Sequence, residues 1–281
     1  MTGMGPQQFA FFRICLGAYL AGFGLLLLPY STELLSSEGI YGFDIRGFRW
    51  FDGVLPTVLG DDPSPAVARA AVSGLIVAGL ALAAGFYRRV AALLGWYLLA
   101  CIVDRDLGLL SPSIPFVGWL LIATLLVPAG EGWSVLQRAP TSDWIFPKAL
   151  FRASWIVMAI AYSLSGFAKL QTPEWIDGTA LQYAFGLPFA REGGLTGILL
   201  ALPDVFVRLL TWMALLGEVA FAPLSLFSLG RLVAWVVMVA MHLMLLATMA
   251  IREVSLGMLL MHVFTFDGRW FAGAAPHAAW G

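Results

Sequence analysis

Charge is scarce in this sequence. Acidic and basic side chains make up 12% of its 281 residues and cancel to a net charge of -1, which leaves no basic surface for a nucleic-acid partner. Cysteine is scarcer still. Cys15 and Cys101 are the two, each inside an apolar run, with no CxxC neighbour and no histidine at metal-ligand spacing. They read as buried structural thiols and not as a disulfide or a metal pair. Three histidines in the whole chain give metal chemistry little to work with, and no metal site is expected. No internal repeat at a solenoid period appears, and the one biased tract is an Ala/Gly-rich tail over 267–281. No basic segment precedes the first apolar run and no small-residue cleavage pattern closes it, so that run is expected to persist as a helix.

What is abundant is apolar. The chain is 60% hydrophobic with a mean hydropathy of +0.86, well beyond a soluble globular domain. The expected fold is an all-α, polytopic transmembrane bundle in a single domain whose helical core covers about 9–266. Eight stretches are candidate spans: Ile14 to Tyr30, Ala70 to Tyr87, Val90 to Val103, Ile114 to Pro128, Ala153 to Lys169, Leu209 to Leu226, Leu232 to Ile251 and Val254 to Phe266. Four of them approach the roughly 20 apolar residues that cross a bilayer. The third and the last are short, which puts the count at six to eight.

Loop charge sets an expected orientation. With a cytoplasmic N-terminus, the inside segments carry Arg88, Arg89, Arg138, Lys148, Arg152, Arg231 and Arg269. Those segments are the shorter ones, so their basic density is the higher, as the positive-inside rule requires. Lys169 then lies at the outer end of the fifth helix. Two long connections share its side: Ser31 to Pro65, with Tyr41, Phe43, Phe48, Trp50 and Phe51, and Gln171 to Asp204. Together they are expected to roof a cavity.

Against so apolar a background each intramembrane polar residue is informative, because ionisable groups at that depth are costly and need partners. Lys169 ends an apolar run through Tyr162-Ser-Leu-Ser-Gly-Phe-Ala-Lys169, with Trp175-Ile-Asp177-Gly178 following. Tyr162, Ser165 and Lys169 share one helix face by their spacing. Glu218 sits mid-span, where snorkelling cannot relieve it. It should pair with a basic or polar group from another helix, with Arg13, Lys169 and His242 as candidates. Arg13, one turn into the first helix, either snorkels or pairs with a buried carboxylate. His242 has Trp235 one heptad earlier, and His262 has Ser255 one heptad earlier. Each histidine is either a packing residue or part of one polar cavity.

These residues resemble a family. The patterns Phe-Phe-Arg13-Ile-x-Leu-Gly17, Tyr162-x-x-Ser-Gly166-x-x-Lys169-Leu with Trp175-x-x-Gly178, Glu218 before Pro223, and His242 after Arg231 are similar to the HTTM (horizontally transferred transmembrane) domain. That is the membrane domain of vitamin K-dependent gamma-glutamyl carboxylase and its bacterial relatives. The resemblance implies a multi-pass protein of a bacterial inner membrane. It also implies a lipid-soluble substrate such as a quinol, with Lys169 as the base, Glu218 and His242 as its partners, and Tyr162, Ser165, Trp175, Asp177, Gly178 and His262 around the substrate. A buried neutral amine suits proton abstraction from a phenol. Three departures stand out. The family's histidine before the glycine of the fourth helix has no counterpart in Leu110-Ser-Pro-Ser113-Ile-Pro-Phe-Val-Gly118, the step from Lys169 to Trp175 is one residue longer, and no stretch corresponds to the carboxylase's extramembrane region. Carboxylation of protein is therefore not expected of these residues.

Two functions remain open at this stage. One is a small membrane enzyme handling a quinol or similar molecule. The other is a non-catalytic scaffold or accessory subunit that meets lipids and other integral membrane proteins through its apolar faces. A transporter fits less well, since no Gly/Pro-broken pair of spans repeats in corresponding halves.

Overall fold

The computed structural model describes residues 4–40 and 56–270. The aromatic residues Tyr41, Phe43, Phe48, Trp50 and Phe51 of the first long connection, and the tail from 271, lie outside the described residues. Among the described residues the regular structure is helical, apart from an isolated antiparallel bridge between Ala190 and Met249. It divides into two compact units, one over residues 5–146 and the other taking in Met4 and the residues from 147.

The first unit contains α1 (Pro6–Leu27), α2 (Ser31–Leu35), α3 (Pro65–Ala84), α4 (Arg88–Arg105) and α5 (Ile114–Leu126). Proline marks three starts, Pro6, Pro65 and Pro115, where its missing N–H is of no consequence. The Ser64 hydroxyl accepts from the Val67 N–H and caps α3. α1 and α3 meet backbone to backbone at Gly17 and Gly79. A Cβ on Gly79 would lie 2.6 Å from the Ala21 nitrogen and 2.7 Å from the Gly17 carbonyl oxygen. Small residues at such a crossing let two apolar helices gain packing that lipid cannot match.

The second unit contains α6 (Lys148–Lys169), α7 (Pro173–Ile176), α8 (Ala180–Phe185), α9 (Gly194–Ala201), α10 (Asp204–Val219), α11 (Phe221–Ser225), α12 (Ser228–Thr248) and α13 (Arg252–Thr265). The expected sixth span is broken after α10. Pro223 has no N–H to bond the Val219 carbonyl and its ring crowds that oxygen, so the chain turns at Ala220 and restarts as α11. The connection from 171 to 204 is a packed cap and not a bare loop. Leu181 and Phe185 of α8 and Leu199 of α9 form a buried cluster with Val207 of α10 and Met249.

Among the described residues, four helices are long and apolar enough to cross a membrane: α1 with its extension to Leu35, α3, α6 and α12. A fifth span results if α9 and α10, bent by 116° at Leu202 and Pro203, are one broken crossing. Their outer faces are apolar, since Leu26, Val77, Leu164 and Leu229 are each more than 60% exposed. On helices of this length and hydropathy such exposed side chains suit contact with lipid.

Candidate functional site

The site in the second unit begins at Gly166. A Cβ there would stand 2.6 Å from the Val219 nitrogen and 3.0 Å from the Glu218 carbonyl carbon, so only glycine lets α10 lie this close to α6. One consequence is that Glu218 reaches Lys169, one turn beyond Gly166. Lys169 Nζ donates to Glu218 Oε1 at 2.5 Å, which makes Lys169 the partner among the three candidates. The Ser163 hydroxyl reinforces the crossing by donating to the Glu218 carbonyl oxygen at 3.3 Å and accepting from the Ala222 N–H at 3.1 Å.

Burial within the pair is unequal. The Glu218 side chain is 5% exposed and that of Lys169 is 23% exposed. Glu218 Oε2 has no hydrogen-bond partner among the described residues. Lys169 also faces the ring of Trp175, 4.6 Å from its centroid, a cation–π contact with the segment that follows α6. That segment is latched to α10. The Trp212 indole donates to the Ile176 carbonyl at 3.0 Å and the Arg208 guanidinium to the Asp177 carbonyl at 3.4 Å.

Gly178 and Asp177 shape this segment. Gly178 has φ +84, and a Cβ on it would press on Arg208 Cβ and Trp212 Cε2 at 3.0 Å. The exposed Asp177 carboxylate accepts from the Thr179 hydroxyl at 2.6 Å and the Thr179 N–H at 2.9 Å. Those two bonds hold its pKa below the ordinary carboxylate value. Both residues are occupied in fixing the chain's turn beside Trp175.

Two turns below Lys169 on the same face of α6 lies a second cluster. Tyr162 is buried, and its hydroxyl lies 2.8 Å from His242 Nε2 on α12 and 2.9 Å from His262 Nε2 on α13. The ring packs on Phe221 with centroids 4.7 Å apart. Trp235 donates to the His262 carbonyl at 2.8 Å and sets its ring edge-on to the imidazole. His242 Nδ1, His262 Nδ1 and the hydroxyl of Ser255 are buried without partners among the described residues. Four helices thus bring Lys169, Glu218, Tyr162, His242 and His262 onto one line about two turns long. Ser165 is half-buried on α6 and is not among these contacts. The hydroxyl that binds α10 is its neighbour Ser163, which faces the helix crossing.

An apolar cleft of about 330 Å³, lined by Trp155, Ala159, Ser163, Ala222 and Leu226 among others, runs beside α6 and α11. Lys169, Glu218 and His242 are not part of its wall. Among the described residues no group of three or more His, Cys, Asp or Glu is placed to hold a metal ion.

The first unit holds a charge cluster that was harder to foresee. Arg13, wholly buried, donates to the Leu82 and Ala83 carbonyls at 2.8 Å and to the Trp133 carbonyl at 2.7 Å, and its Nε lies 3.3 Å from Glu131. Arg88 donates to the Thr124 carbonyl at 2.9 Å and the Val127 carbonyl at 2.7 Å, and its Nε lies 3.4 Å from the same Glu131 oxygen. The two guanidiniums cap the C-terminal ends of α3 and α5, where bare carbonyls and the helix dipole both favour a cation. Of the two readings open for Arg13, pairing with a buried carboxylate is the one found.

No protein-family model matches this chain, and no curated protein or solved structure matches it significantly.

Proposed function

We propose that the protein is an integral membrane enzyme that transfers a proton to or from a lipid-soluble molecule bearing an acidic hydroxyl, a quinol being the type. The observation that carries this reading is the set of buried polar atoms left open along α6: Glu218 Oε2 beside Lys169, and His242 Nδ1 and His262 Nδ1 two turns below it. Such atoms cost stability unless something else binds them. Lys169 is the base and is the member of the cluster nearest to solvent. As an ammonium it cannot accept a proton. When its proton passes to Glu218 Oε1, the amine becomes neutral and can take the proton of a substrate hydroxyl, while the carboxyl keeps the first proton. Tyr162 and the histidines orient or relay, and Trp175 with the 175–178 turn acts as the lid over the amine. The likeness of the motifs around Arg13, Lys169, Glu218 and His242 to the HTTM domain of the carboxylase points the same way.

The membrane topology that goes with this reading has eight spans in a bacterial inner membrane, N-terminus inside. α4, α5, α10 with α11, and α13 add four shorter crossings to the four long helices, and lipid covers their apolar faces. A cysteine introduced at Glu38 and one at Glu192, each in a chain without Cys15 and Cys101, are then expected to react from the same side. Reaction from opposite sides would mean an odd number of crossings between them.

Lys169→Arg tests the chemistry, since a guanidinium stays protonated. The variant is expected to reach wild-type levels in the membrane but to lose the deprotonation of a bound hydroquinone, read as loss of its phenolate absorption band. A second reading, a scaffold subunit in a larger membrane complex, is favoured by the way Lys169 and Glu218 close on each other. Absence of any phenolate signal from hydroquinone added to the wild type, with a stoichiometric membrane-protein partner on purification, would decide for the scaffold.

A further inference from the structure

The first unit has a feature that neither its arginine cluster nor the Lys169 site uses. Between α4 and α5 lies an apolar cleft of about 500 Å³, with Trp96, Leu99, Val103, Ile114 and Trp119 in its walls and Asp104 at one end. That volume is in the range of small-molecule sites, roughly 300–1,000 Å³. Asp104 closes the last turn of α4 and is 8% exposed. Its Oδ1 is buried with no hydrogen-bond partner among the described residues. No Lys, Arg or His lines the cleft, and no donor from its wall reaches Oδ1.

A lone acid in such a wall is costly unless a donor meets it. Space for that donor exists beside Asp104. Gly118, one turn into α5, helps to keep the cleft open: a Cβ there would meet nothing nearer than Trp96 Cδ1 and Nε1 at 3.8 Å. The walls are flat indole rings and branched aliphatic chains, which suit a rigid apolar body. An anionic head would be repelled by Asp104, and a head without a donor would leave the acid unanswered.

We propose that this cleft binds an apolar molecule with a hydrogen-bond-donating head, an amine or a hydroxyl, whose head meets Asp104 Oδ1 while its body lies between Trp96 and Trp119. The site belongs to the first unit and stands whether or not Lys169 is a base.

Energy transfer from tryptophan to pyrene, measured on the full chain in lipid nanodiscs, tests it with three probes: pyrenemethylamine, pyrenemethanol and methylpyrene. Saturable transfer is expected for the amine and the alcohol, with methylpyrene weaker by about tenfold or more, the worth of one hydrogen bond to a carboxyl group. An amine stronger than the alcohol shows that charge contributes, and equal affinities show that hydrogen bonding suffices. Asp104→Ala is expected to erase the difference between the probes while leaving the melting temperature at or above wild type, because it removes an unanswered acceptor. Gly118→Leu, which fills the cleft without backbone conflict, is expected to abolish saturable transfer for all three. Methylpyrene binding as tightly as the amine and the alcohol to the wild type, or amine binding unchanged in Gly118→Leu, would overturn the proposal.

Discussion

Each unit buries charge among apolar helices, and the two do it in opposite ways. In the first, Arg13 and Arg88 share Glu131 and spend their remaining N–H groups on backbone carbonyls at helix ends. In the second, Lys169 and Glu218 pair through one oxygen, Tyr162 spans two imidazoles, and three neighbouring polar atoms are left open. The same types of side chain therefore serve as a clamp in one place and as an unfinished surface in the other. Burial alone does not separate them, because Arg13 is more deeply buried than Lys169. The number of partners does: Arg13 Nε lacks a hydrogen bond among the described residues, yet each guanidinium meets at least two backbone carbonyls besides Glu131, whereas Lys169 meets a single carboxylate oxygen.

The sharpest way to break this contrast is Glu131→Leu. It strands two buried guanidiniums, and removal of one partner from a buried ion pair costs about 3–5 kcal/mol. Loss of the folded protein from membranes, or a fall in melting temperature larger than that of any change below, is the expected result. Glu218→Leu strands one lysine that is partly exposed and can turn toward water, so its cost should be smaller, about 1–3 kcal/mol. Glu218→Gln should be milder still if hydrogen bonding and not charge holds the pair. Thermal melting of the two in the same detergent measures the difference, and equal losses for Glu131→Leu and Glu218→Leu would remove the distinction between clamp and site.

Tyr162→Phe deletes the hydroxyl that both imidazoles use and should cost about 1–3 kcal/mol through two unanswered nitrogens. A melting temperature equal to wild type would mean that the histidines find other partners. The smallest effect belongs to the lid. Because the Asp177 pKa is depressed in the folded chain, its contribution is present above the ordinary carboxylate value of about 3.9 and is lost as pH falls through the lower folded value. Thr179→Val removes the hydroxyl donor, so the Asp177 titration followed by carboxyl NMR should move upward. An unmoved titration would show that the backbone N–H of residue 179 suffices.

How far these clusters could be read in the sequence depends on where each partner lies. A glutamate in the middle of an apolar run must find a cation or a donor, and Lys169 was among the few on offer. Arg13 declared itself for the same reason, but its partner Glu131 lies in a polar connection 118 positions away, where nothing in the local pattern marks it. The face of α6 was legible through the spacing of Tyr162 and Lys169. Ser165 was placed with them by the same periodicity, while the hydroxyl at the α10 crossing belongs to Ser163, because the contact depends on where α10 approaches and not on α6 alone. The cap between α6 and α10 was legible as a long aromatic connection. Its helices α8 and α9, six and eight residues long, are too short to show a period of their own. Pro223 is in plain view, but the unbroken hydropathy from Leu209 to Leu226 hides the break that it makes at Ala220.

The Tyr162 hydroxyl has one consequence for proton placement. It owns a single proton, so it can donate to one imidazole while accepting from the other. With both rings neutral, His242 and His262 must then be opposite tautomers: one carries its hydrogen on Nε2 and the other on Nδ1. Two residues in matching contact with the same oxygen are chemically unlike, and a rotation of one O–H bond with two tautomer exchanges would invert their roles. Nitrogen NMR of the two rings should show one of each kind, with the pair interchanging together.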